Sequence, residues 1–161
     1  MGLLEPHGRG RRHVRRDALN EQPPPVVVVY SLAHAVAALE AARERAVVLL
    51  SAPGAGIYAG AGWWTAVVDA ARNAMPAAPF SAILDCGADA GAAMAALRAG
   101  AAIVVFTGRS DVAERLAGIA AQRDARLLTA RPQHALDLAE CFFADGDALR
   151  RHCAEFFADD G

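Results

Sequence analysis

The chain has 161 residues, 55% of them hydrophobic, and a formal net charge of −2. That is enough material for one domain with its own core and argues against general disorder. All 16 basic side chains are arginine, and the lack of any lysine excludes a Schiff-base aldolase, a pyridoxal-phosphate enzyme and a phosphate loop of the Gly-Lys-Ser/Thr type.

Charge is uneven along the chain. Residues 1–22 carry five arginines against three acids, and residues 137–161 two arginines against seven acids. The basic head, Arg9-Gly10-Arg11-Arg12-His13-Val14-Arg15-Arg16, is short and has no interleaved aromatics, so it reads as a solvated, disordered arm over residues 1–24 and not as a nucleic-acid-binding segment. Nothing apolar of useful length follows it before Pro23-Pro24-Pro25, which predicts no signal peptide and a cytoplasmic protein. The longest apolar stretch, Ala99 to Phe106, is far below the roughly 20 residues a bilayer span requires, so no membrane partner is expected.

From Val26 onward, apolar runs of strand length alternate with helix-like segments. The strands expected are Val26–Tyr30, Val47–Leu50, Ser81–Asp85, Ala102–Phe106 and Arg126–Thr129; they lack polar alternation, as strands of a buried parallel sheet do. Between them, Trp64, Val67, Val68 and Ala71, and then Val112, Leu116, Ile119 and Ala120, each repeat on one helical face. Ser110 reads as an N-cap, and Pro132 as the first position of a fifth helix. The segment Ala144 to Gly161 reads as a further helix begun by Asp147, with Leu149, Cys153, Phe156 and Phe157 on one side, either packed on the domain or forming a homodimer seam. The pattern predicts one α/β domain over residues 25–145 and a C-terminal helix over 146–161: an open three-layer αβα sandwich of five parallel strands, flavodoxin-like, with a half (βα) barrel as the alternative.

In such sheets ligands lie beyond the carboxyl ends of the strands. The glycine-dense run Pro53 to Gly62 follows the second strand and would let backbone N–H groups approach an anion. Its spacing does not meet the dinucleotide fingerprint. The residues expected to hold a small anionic ligand are Gly54, Gly56, Gly60, Thr107, Arg109 and Arg131, and Asp85 is the candidate general base or nucleophile if the chain is an enzyme. Cys86 reads as a buried small hydrophobe. Cys86, Cys141 and Cys153 have no C-x-x-C spacing, and no two histidines share a metal-ligand spacing, so reduced thiols and neither a metal nor a cofactor are expected.

The passage Ala102-Ile-Val-Val-Phe-Thr-Gly-Arg-Ser-Asp-Val-Ala-Glu-Arg-Leu-Ala-Gly-Ile-Ala-Ala, followed by Leu127-Leu-Thr-Ala-Arg-Pro132, resembles the second half of a response-regulator receiver domain. That resemblance covers about residues 81–140 and implies that Asp85 matches the phospho-accepting aspartate, Thr107 the switch hydroxyl, and Arg131 the position of the usual lysine. Tyr30-Ser31 stands where that family keeps its acidic metal-binding pair, so the domain implied is a degenerate one without phosphotransfer. Gly91-Ala-Ala-Met-Ala-Ala-Leu-Arg-Ala-Gly-Ala-Ala-Ile-Val-Val is also similar to the phosphate-binding side of (βα) barrels of the keto-acid aldolase type, whose lysine this chain lacks. The function expected is a non-catalytic binding or regulatory domain. A small lysine-independent enzyme acting on a phosphorylated or carboxylated metabolite, and a self-associating protein with no ligand, are the alternatives.

Overall fold

A computed structural model describes residues 22–160, so the expected basic arm lies almost wholly outside the described residues. The chain runs β1 (Val26–Val29), α1 (Leu32–Ala42), β2 (Val47–Ser51), α2 (Ala55–Tyr58), α3 (Gly60–Ala74), β3 (Phe80–Asp85), α4 (Ala90–Arg98), β4 (Ile103–Val105), α5 (Ser110–Ala121), β5 (Arg126–Leu128), β6 (Leu136–Asp137), a 3-10 turn (Ala139–Cys141) and α6 (Gly146–Asp159). The class is α/β, with one all-parallel sheet flanked by helices. It has six strands where the sequence predicted five.

The strands lie in the order β5-β4-β3-β2-β1-β6, which differs from the 2-1-3-4-5 order of flavodoxin-like sheets because β1 sits between β2 and β6. Right-handed crossovers that all step the same way place their helices on the same face. Accordingly α6, α1, α3, α4 and α5 form one row of packed neighbours. The main core joins that row to the sheet through Val27, Leu49, Leu84 and Val104 from the strands and Leu39, Trp64, Leu97 and Leu116 from the helices. On the other face Val28, Leu50, Ile83 and Val105 form a second buried cluster, flanked among the described residues by strand residues, Tyr30 and Ala135. The arrangement is the expected open α/β sheet flanked by helices, with a sixth strand at its edge and the helix row along one face.

The link from β5 to β6 departs from expectation. Crossing five strand spacings takes about 24 Å, and the eight steps from Leu128 to Leu136 span at most about 28 Å fully extended. A helix at about 1.5 Å per residue could not make that crossing. Pro132 accordingly starts no helix; residues 129–135 contain none, and Pro132 also disfavours helical geometry at Arg131. This non-helical run, bent at residues 129–130 and 133–134, brings Arg131 to the carboxyl rim of the sheet.

Local chemistry sets the helix starts. Ser31, Asp89 and Asp145 cap α1, α4 and α6 by accepting from the amides of His34, Ala92 and Ala148, so the last helix begins one residue before Asp147. Ser110 is the first residue of α5 instead of its cap, and that helix has no side-chain cap. α6 buries Leu149, Cys153 and Phe157 against the domain, while Arg45 donates to the carbonyl of Phe157 at 2.9 Å and the carboxylate of Asp160 at 3.2 Å. No helix among the described residues is long and apolar enough to cross a membrane.

Candidate functional site

Asp85 ends β3 and is 2% exposed, and its carboxylate ties three connections together. Oδ1 accepts from the Gly54 amide at 3.0 Å and the Gly87 amide at 2.7 Å; Oδ2 is paired with the Arg131 guanidinium. Arg131 also donates to the Ser51 carbonyl at 3.2 Å, and the Ser51 hydroxyl receives the Asp85 amide at 2.9 Å. Gly54 reaches the carboxylate with φ at +67°, a left-handed conformation that glycine adopts without steric cost. The loop after β2, the loop after β3 and the crossing segment therefore meet at one buried anion.

That arrangement bears on chemistry. Both oxygens of Asp85 are occupied, which leaves it poorly placed to take a proton or attack a substrate. Cys86 is fully buried, and burial first, then Asp85 and Asp89, push its thiol up to about 12, so it is no nucleophile near neutral pH. Tyr30 lies beside the Asp137 carboxylate; burial and that neighbour raise its phenol to about 12. His34 is 1% exposed, and its Nδ1 accepts from the Tyr30 amide at 3.3 Å. The remaining proton is then on Nε2, which is buried without a partner of good geometry. Burial lowers the His34 pKa, offset in part by the Cys141 backbone carbonyl.

The predicted site residues divide. Gly54, Asp85 and Arg131 come together. Thr107 adjoins them, since its amide donates to the Gly87 carbonyl at 2.7 Å, and its side chain is exposed. Arg109 does not join: its side chain is 81% exposed and paired with Asp111 at 2.9 Å. The glycine run is helical, not an open loop. Gly56 is buried in α2, where a Cβ would lie 2.5 Å from the Cys86 sulfur and 3.1 Å from the Asp85 carbonyl; its role is close packing of α2 on β3. Gly60 starts α3 with open space around it. Sequence reasoning missed Gly87, whose signal was its place just past the β3 end, and Asp137, which the unrecognised β6 concealed.

The rim is also apolar on its outer side. Leu32, Ile57, Tyr58, Phe142 and Phe143 are the exposed large hydrophobics among the described residues, and all follow the ends of β1, β2 or β6. Among the described residues no group of three His, Cys, Asp or Glu side chains is placed to hold a metal ion. Compared with known proteins, the chain matches no family model and no curated sequence.

Proposed function

We propose that this chain is a non-catalytic binding or regulatory domain that holds a small anion, a phosphate or a carboxylate, at the carboxyl rim around Thr107 and Arg131. The observation that carries this reading is the occupancy of the Asp85 carboxylate by two amides and a guanidinium. The rim's central acceptors are thereby engaged. The Thr107 hydroxyl makes no hydrogen bond among the described residues, and about a quarter of the Arg131 side chain still meets solvent. A rim with filled acceptors and open donors suits an anion better than a cation or a proton transfer.

Asp85 and Arg131 stand at the positions where the receiver resemblance puts the phospho-accepting aspartate and the usual lysine, and the lack of an acidic pair at Tyr30-Ser31 fits a module without phosphotransfer. The enzyme reading requires Asp85 to release Arg131 and is less well supported. A cytoplasmic location belongs to the proposal. Self-association is a second reading, favoured by Phe143 at 96% exposure beside Phe142 at 51%. It would use that pair instead of the α6 face, whose Leu149, Cys153 and Phe157 are already buried.

The test is thermal unfolding in sodium phosphate against sodium chloride of equal ionic strength. Phosphate at 100 times its Kd adds about 2.7 kcal/mol of stability. Thr107→Val should lose most of that increment while keeping the general salting effect of phosphate. Equal midpoints in the two salts, or an increment that survives in the variant, would overturn the anion reading. For self-association, Phe143→Ser should lower the sedimentation coefficient of any dimer.

A further inference from the structure

A concavity lies at the opposite end of the sheet from Asp85. It is a half-enclosed cavity of about 310 Å³ between α3 and the amino-terminal ends of β3 and β4. Trp64, Val68 and Phe80 supply apolar and aromatic wall, while Ala82, Gly100 and Ala101 are too small to fill the space between them. Pockets that bury small ligands begin at roughly 300 Å³, so this one has room for a single ring with one substituent and not for a nucleotide.

One cation stands at its lip. The Arg72 guanidinium is 5.5 Å from the centre of the Phe80 ring, which orients it by a cation–π contact. Its nearest anion, Asp69, is 3.9 Å away, and both side chains are more than half exposed. Among the described residues the guanidinium makes no hydrogen bond. Arg72 therefore offers a planar fork of open donors over an aromatic wall, a geometry that fits a carboxylate in two-point contact. Asp69 holds it too loosely to compete strongly at physiological ionic strength.

We infer that this cavity is a binding site for a one-ring aromatic carboxylate, the ring lodged between Trp64 and Phe80 and the carboxylate on Arg72. It is independent of the anion position at the carboxyl rim. Its lining holds no cysteine, histidine or tyrosine and a single carboxylate, Asp69, so the ligand is bound and not transformed.

Trp64 itself reports the test. In a Trp63→Phe background it is the sole indole, and titration with benzoate should change its emission saturably, while acetate should not. Arg72→Gln should weaken benzoate about tenfold, as loss of a charge-assisted contact does, and leave benzyl alcohol unaffected. Ala102→Phe, at an exposed lining position on the Val104 side of the sheet, should abolish both responses with the circular dichroism spectrum unchanged. A linear response to benzoate, or one that survives Ala102→Phe, would overturn the site. Equal benzoate affinity in Arg72→Gln and its parent would overturn the carboxylate assignment.

Discussion

Replacing Asp85 with alanine removes the one acceptor that three connections share. It leaves the Arg131 guanidinium, three-quarters buried, with only the Ser51 carbonyl, and frees the half-buried amides of Gly54 and Gly87. Breaking a buried pair from one side costs about 3–5 kcal/mol, and the partial exposure of Arg131 and water access to the two amides hold Asp85→Ala near about 3 kcal/mol. Arg131→Ala leaves the carboxylate its two amide donors and should cost less, about 2 kcal/mol. Once either partner is gone the other has lost its reason to be buried, so the double variant should fall short of the sum by about 1–2 kcal/mol. Urea unfolding followed by circular dichroism measures all four corners of the cycle. A single-variant cost for Asp85→Ala under about 1 kcal/mol, or additivity within about 0.5 kcal/mol, would refute the role of Asp85 as the shared tie of the three connections.

Gly56→Ala should destabilise by about 1–3 kcal/mol, because its Cβ would meet the Cys86 sulfur at 2.5 Å; Cys86→Ala in the same chain should recover part of the loss. The folded pKa of His34 lies below its unfolded value, so the unfolded chain takes up protons first and stability falls as pH drops below about 6.5. His34→Phe should flatten urea midpoints between pH 7 and pH 5, and an unchanged slope would contradict the burial argument. Half-buried Cys141 should react with a thiol reagent in the native protein, while buried Cys86 and Cys153 should react only on unfolding. Mass spectrometry after timed labelling distinguishes the three.

The five strands with apolar runs were legible to within one or two residues because burial of their central positions on both faces confines polar residues such as Ser51, Ser81, Asp85 and Arg126 to or near the strand ends. β6 was not: Leu136–Asp137 is two residues long, and what makes it a strand is the free edge of β1. The helix at Pro132 failed for a related reason, since the width of the sheet, invisible in the local pattern, demands an extended chain there. The glycine run looked like a loop by intrinsic propensity, yet α2 and α3 form because Trp64, Val68 and Ala71 bury against the sheet and because only glycine lets α2 approach Cys86. At the rim, chain position identified Asp85, Arg131 and Gly54 as strand-end groups, but their pairing across 46 residues is a product of the crossing segment. Arg109 had the same strand-end position, and a local carboxylate two residues away claimed it.

The proposal of an anion at the rim is tested most directly by backbone amide NMR shifts during titration with inorganic phosphate at constant ionic strength. Saturable shifts are expected, concentrated at Gly54, Gly87, Thr107 and Ser110, with little movement near Trp64. Small shifts scattered over the surface, or a saturable set clustered away from these four, would contradict it.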